Sequence, residues 1–296
     1  MLSFRKTTVD REPADRVMSI MQISEIGVSA LKGGRHQPRE TVLLQADGPV
    51  GDRVFAVVDR DNGRILKTVE HPSLLACQAS WVDGVLSVDI DGRHVSAEPE
   101  PTGEHLDLDY WGRSTSMEVV DGPWAEEFSR MMGRSVVLTR SVVTGGVVFG
   151  DPVTISTTSS LSRLSRESGT VVDARRFRST FTIDTGDADA HVEDSWAGRE
   201  MDVGGARLLV KGGIPRCAVI DSDPDTGARG TRLLKTLAGY RLQASDIMFG
   251  VYATVVRPGT VSVGNETRLV DQIPLRTRAA GEPDAAHSGD GVPRPV

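Results

Sequence analysis

Only two cysteines, Cys77 and Cys217, occur in 296 residues. They lie far apart and form no CxxC, so neither a disulfide framework nor a cysteine zinc site is suggested, and no iron–sulfur cysteine cluster is present. A reducing, cytoplasmic setting fits that usage. Aromatic residues are scarce at 5%, while valine is abundant. The core must therefore come from branched aliphatic side chains, which suit strands. Basic residues do not outnumber acidic ones. A net charge of −7 and a pI near 5.4 exclude the broad basic footprint of a nucleic-acid binder, but leave room for a local basic pocket. No apolar run approaches the ~18–20 residues of a membrane-spanning helix. The first residues show no apolar stretch of the kind a secretory signal needs. What remains is an ordinary globular composition, 39% apolar and 25% charged, long enough for two modest domains.

Strand and turn signals dominate the middle of the chain. Residues 54–59 (VFAVVD) run into Asp61-Asn62-Gly63, and residues 85–90 (VLSVDI) run into Asp91-Gly92. Both read as hairpins, because these dipeptides accept the left-handed turn positions. Residues 134–140, 181–184, 207–211, 217–221, 251–256 and 260–263 also read as strands. Two helices are expected. Residues 122–132 space Trp124, Phe128, Met131 and Met132 along one face, with Asp121 as N-cap and Gly133 as the stop. Residues 231–240 do the same with Leu233, Leu234, Leu237 and Tyr240. One short helix is expected within 156–176. The tails, 1–18 and 272–296, lack the apolar residues to offset ordering entropy and read as disordered. Between them the division expected is an N-terminal β domain over 19–120 and a second, mainly β barrel over 121–271.

Cys217 stands in Gly213-Ile214-Pro215-Arg216-Cys217-Ala218. Pro215 cannot donate to a sheet ladder, so a strand is expected to begin at or after it, with Cys217 at its entrance. Arg216 beside it supplies a cation that favours the thiolate. A lone cysteine is more often a small buried hydrophobe, and Cys77, within Leu74-Leu75-Ala76-Cys77, reads that way. One thiolate cannot hold a bare metal. If Cys217 is a ligand, the metal must arrive with other ligands attached; otherwise Cys217 is a nucleophile or a persulfide carrier.

A wider pattern surrounds it. Asp173-Ala-Arg-Arg-Phe-Arg178, Glu193-Asp194-Ser195-Trp196, Pro215-Arg216-Cys217, Asp223-Pro-Asp-Thr-Gly227, residues 234–241 (LKTLAGYR), Phe249-Gly-Val-Tyr252, Pro258-Gly259 and Val263-Gly264 follow in order. Together they closely resemble the MOSC family, the molybdenum-cofactor sulfurase C-terminal domains, over about residues 140–270. Leu31-Lys32-Gly33, Gly51-Asp52-Arg53-Val54-Phe55 and the Asp61–Gly63 hairpin resemble, more loosely, the β-barrel-like domain that precedes MOSC in such proteins.

The resemblance implies a molybdenum cofactor (molybdopterin) whose pyranopterin brings most of the metal's ligands, with Cys217 completing the set. It assigns Arg178, Arg53 and Lys32 to the cofactor's phosphate and pterin, with Arg176, Thr180 and Arg216 as further contacts. The chain departs from the family pattern in four places. Thr180 stands for an asparagine, Gly33 for a serine and Pro215 for a common serine, and residues 67–72 (KTVEHP) replace a Thr-x-Arg-Gln-x-Pro stretch. Asp223–Gly227, Tyr240, Phe249 and Tyr252 are expected to be structural, as is the Glu193–Trp196 run. Among six histidines, His71 and His191 lie nearest the motifs, and His71 suits a general acid.

Three functions follow as expectations. The first is reduction of N-hydroxylated or N-oxide small molecules at a Cys217-ligated molybdenum, with electrons from a separate partner. The second is sulfur carriage on a Cys217 persulfide, received from elsewhere because the chain shows no evident pyridoxal phosphate lysine. The third is non-catalytic cofactor carriage.

Overall fold

A computed structural model describes residues 20–270. The tails expected at 1–18 and 272–296 lie outside the described residues. The protein is mainly β, and its central feature is a closed ring of seven strands. Around the ring run Val153–Thr157, Phe181–Asp184, Met21–Val28, Glu266–Leu269, Glu200–Val203, Ala206–Pro215 and Asp246–Arg257, which returns to Val153–Thr157. The first pair is parallel and the others antiparallel. Closure leaves the barrel with no free edge. Its interior holds Ile23, Ile155, Phe181, Trp196, Leu208 and Val251, all buried.

The strand Met21–Val28 comes from the N-terminal part of the sequence yet completes this barrel. Conversely, Val136–Ser141 pairs with Phe55–Asp59 in a separate five-stranded sheet that also contains Glu100–Tyr110, Arg113–Asp121 and Arg64–Ile65. The sheets therefore do not divide at residue 120. A cut there would unpair a barrel strand on one side and a sheet strand on the other. A meander of Gln78–Val82, Val85–Ile90 and Arg93–Ala97 packs beside the five-stranded sheet around Leu74, Leu86, Trp124 and Phe128.

Both expected hydrophobic helices form. Trp124–Met132 buries Trp124 and Phe128, and Gly133 ends it at φ 63, a left-handed cap that glycine adopts freely. The side chain of Asp121 does not cap it but accepts from the Gly122 N–H at 2.8 Å. Leu233–Arg241 buries Leu233 and Leu237. The polar segment yields Thr158–Ser168, capped by Thr157. No helix among the described residues is long and apolar enough to cross a membrane.

The region of Cys217 differs from expectation. The strand Ala206–Pro215 ends at Pro215, so Cys217 stands at a strand exit. Residues 217–221 are not a strand; Ala218–Asp221 is a 3-10 turn with Cys217 as its N-cap. The missing N–H of proline stops the ladder from its C-terminal end. Ile220 then turns inward to a cluster with Leu233, Leu237, Phe177 and Phe249.

Candidate functional site

Several chain segments converge on one pocket of about 410 Å³. The first carries Lys32. Its backbone N–H donates to the Phe55 carbonyl at 2.7 Å, and the Arg53 N–H donates to Ser29 at 2.6 Å. These bonds set Lys32 beside Arg53. The second segment is Ala174–Phe177, a 3-10 turn capped by the Asp173 carboxylate and closed by Arg178 in the left-handed region. Arg175 pins this turn through paired bonds to Asp173 and Asp225. The third is the strand exit at Pro215, and the fourth is the strand Asp246–Arg257, which contributes Tyr252.

Lys32, Arg53, Arg176, Arg178, Arg216 and Cys217 all line this pocket. Thr180 does not. It lies behind the wall, fully shielded, where it exchanges hydrogen bonds with Thr154 (N–H to Oγ1 at 3.0 Å, and back at 3.2 Å). Its neighbour Thr154 reaches the pocket instead. His71 is not among the lining residues, so the general acid expected there is not brought to the site. His191 is buried against Phe249 and Tyr240 behind it, with both ring nitrogens unpartnered. Tyr252, expected as packing, is a pocket wall. Cys77 is fully buried, its Sγ 3.6 Å from Met131 Sδ, and burial pushes its thiol up to about 12.

The Cys217 thiol is exposed. Its flanks are held rigid. Arg216 donates from Nε to the Phe249 carbonyl and from Nη1 to the Phe177 carbonyl, each at 2.8 Å. Arg176 donates to the Ser222 carbonyl at 2.6 Å. Asp221 accepts from the Leu234 N–H at 3.0 Å, tying the turn after Cys217 to the helix Leu233–Arg241. Arg216 thus spends two of its donors fixing the backbone around the thiol.

The pocket is strongly basic. Lys32, Arg53, Lys67, Arg176, Arg178 and Arg216 line it, against the single carboxylate of Asp246. Asp52, buried beneath, pairs with Arg53. Burial, then the Arg53 and Arg178 guanidinium groups, hold the Lys32 ammonium well below the usual lysine range. Burial and Arg53 bring Arg178 down to about 9, and burial brings Arg216 to about 10. Arg178 Nη1 donates to the Gly34 carbonyl at 2.6 Å, while its Nη2 has no partner; Arg216 Nη2 has none either. Such donors, shielded and in excess of their counter-charge, suit a multiply charged anion.

Apolar and aromatic groups complete the walls. Tyr110 lies under Lys32, whose Nζ is 5.1 Å from the ring centroid, and burial raises its hydroxyl to about 12. Trp111, Val148 and Phe149 add surface at the mouth, and Thr68 adds a hydroxyl-bearing side chain. Thr68 lies in the 67–72 stretch noted from sequence; the others were not singled out there. The usable signal was the Tyr110-Trp111-Gly112 turn, which places a tryptophan where hairpins take asparagine or glycine.

Residues 130–268 match the family model of the MOSC domain. Human mitochondrial amidoxime-reducing component 1 is 32% identical over 130 residues, covering 41% of this chain and 37% of that protein. Molybdenum cofactor sulfurase from Solanum lycopersicum is 37% identical over 82 residues, covering 27% of this chain and 10% of that protein. The chain thus spans well under half the length of either relative. The crystal structure of the YUAD protein from Bacillus subtilis aligns with 83% of this chain and 93% of its own, at 10% identity and a TM-score of 0.40. With the matched residues contributing six of the seven barrel strands and the exposed cysteine, residues 130–268 of this chain belong to the MOSC domain family.

Proposed function

We propose that the protein binds the molybdenum cofactor in this pocket and reduces N-hydroxylated or N-oxide small molecules there, with the Cys217 thiolate as the protein's ligand to the metal. The observation that carries this reading is the coexistence of an exposed thiol with six basic side chains, two of which present shielded donors without partners. A persulfide carrier needs the thiol but not the anion seat. The name of the human relative supports the same chemistry.

The residues present fit the cofactor's needs. Arg178 and Arg53 would hold its phosphate through charge-assisted bonds, with Lys32 adding a third cation. Arg216 and Arg176 keep the backbone on either side of Cys217 fixed. Two of the departures from the family pattern have local accounts. Gly33 has φ +85, and a Cβ there would sit 3.0 Å from Thr68 Oγ1 and 3.0 Å from Leu74 Cδ1. Thr68 therefore occupies the space a serine would use and brings a hydroxyl to the same wall. Pro215 ends the ladder and frees Cys217 from the sheet. When bound, the cofactor supplies the two-electron chemistry that cleaves an N–O bond: a hydroxylamine, two electrons and two protons give the amine and water. The described residues hold no cluster of histidine, cysteine or carboxylate side chains that could bind another metal. Electrons would arrive from a separate redox partner.

The test is turnover. Protein produced in a cofactor-competent host should convert benzamidoxime to benzamidine with reduced viologen as donor, and Cys217→Ala should abolish this. Absence of turnover, together with a mass increase of about 32 Da (one sulfur on a thiol) confined to Cys217, would favour the sulfur carrier instead.

A further inference from the structure

Among the described residues only two aromatic rings are exposed, Trp111 at 53% and Phe149 at 43%. They touch each other edge to face, with centroids 5.2 Å apart. Both line the pocket that holds Cys217. In a chain with so few aromatics, folding does not require the two exposed ones to meet at one opening.

The backbone under Trp111 sharpens the point. Trp111 and Gly112 form the two-residue turn between Glu100–Tyr110 and Arg113–Asp121, with φ of 56° and 80°. Turns of this kind take asparagine, aspartate or glycine at the first position. A tryptophan held there is strained, and the surrounding contacts keep it in place. Lys67 Nζ lies 4.2 Å from the Trp111 ring centroid. The Arg113 guanidinium donates to the Val148 carbonyl, tying the hairpin tip to the loop that carries Phe149. Gly150 at φ +73 packs directly on Tyr252, where a Cβ would stand 2.6 Å from the ring.

We propose that Trp111, Phe149 and Lys67 form a specificity rim for substrates that carry a flat aromatic group with an anionic substituent. The inference rests on the reading that this pocket is the reductase site. Two exposed rings offer a face and an edge to an aryl group. The Lys67 ammonium beside them, the one basic group of the pocket lining not assigned to the cofactor or to the backbone around Cys217, favours a carboxylate on that group.

Calorimetric titration tests this, on metal-loaded and metal-free protein, with 4-carboxybenzamidoxime, its neutral carbamoyl analogue and acetamidoxime. The carboxylated aryl compound should bind at least about tenfold more tightly than acetamidoxime. Trp111→Asn and Phe149→Ser should each weaken it about five- to tenfold. Lys67→Gln should remove the preference for carboxylate over carbamoyl. Asparagine suits the left-handed turn, so Trp111→Asn should keep its melting temperature, which separates lost binding from lost fold. Equal affinity for all three ligands would overturn the proposal, as would variants that bind unchanged. Loss of molybdenum from Trp111→Asn would also overturn it, by making the ring part of the cofactor seat. Selective aryl binding by metal-free protein without any amidoxime turnover would leave the rim standing and sink the reductase reading. Turnover without aryl preference would do the reverse.

Discussion

Arg53 and Arg178 meet across 125 positions of sequence, with Arg53 Nη2 donating to the Arg178 carbonyl at 3.4 Å. Both residues hold positive φ, 49° and 53°. Left-handed backbone at two arginines costs on the order of 1 kcal/mol each. The gain is convergence: Arg53, Arg178 and Lys32 face one pocket with Asp52 as their buried counter-charge. If that convergence serves an anion, replacing Arg178 by Gln should weaken binding of inorganic phosphate or of the cofactor about 10- to 100-fold, as expected for a charge-assisted bond worth about 1.5–3 kcal/mol. Calorimetry with phosphate reads this directly. Arg207→Gln, on the barrel's Asp202 ion pair, serves as the control and should leave the affinity alone.

Gly250 supports the thiol through Arg216. It has φ +72, and a Cβ there would stand 2.5 Å from the Ile155 carbonyl and 3.2 Å from Arg216 Nη2. Gly250→Ala should destabilise the protein by about 2 kcal/mol or more, from backbone strain and a clash that strand pairing prevents from relaxing. Urea unfolding followed by circular dichroism measures it. An unchanged midpoint would mean that Arg216 and the strand can shift aside.

His191 gives the fold an acid-sensitive element. Burial, then Arg241, lowers the His191 pKa to about 4. The unfolded chain therefore binds this proton more readily than the folded chain between about pH 6.5 and about 4. The contribution is fully present above about pH 6.5 and is lost as pH falls through that window, by about 2 kcal/mol at pH 5. His191→Phe keeps a ring against Phe249 and Tyr240, and should flatten this part of the stability–pH curve. Urea midpoints at pH 7 and pH 5 would show it. A variant that keeps the full acid loss would place the effect on other groups.

Much of the fold was legible because its signals are local. The hairpin at Asp61–Gly63, the strand Val85–Ile90, the Trp124–Phe128 helix face and the Gly133 stop are each set by neighbours in sequence. Arg216 was expected beside Cys217 from adjacency; the lining by Lys32, Arg53, Arg176 and Arg178 was expected from the family resemblance, since no local pattern joins residues 32 and 178. Misreadings came where a short apolar run has two uses. Residues 218–220 (AVI) can be strand or turn, and Ile220 chose the cluster around Leu233. Thr180 was misplaced because the pairing of Ile155 with Phe181 sets it opposite Thr154 rather than in the pocket. Trp111 left one trace, a tryptophan in the Tyr110-Trp111-Gly112 turn, but exposure is a property of the fold, and nothing near Phe149 in sequence reports it.

The most direct measurement is molybdenum per chain by elemental analysis, for protein from a cofactor-competent host, beside Cys217→Ala and Cys77→Ala. About one metal per chain is expected in the parent and in Cys77→Ala, whose thiol is buried away from the pocket. Little or none is expected in Cys217→Ala, with the fold intact. Metal that stays in Cys217→Ala at the parent level would contradict Cys217 as the ligand, and a metal-free parent would contradict the cofactor itself.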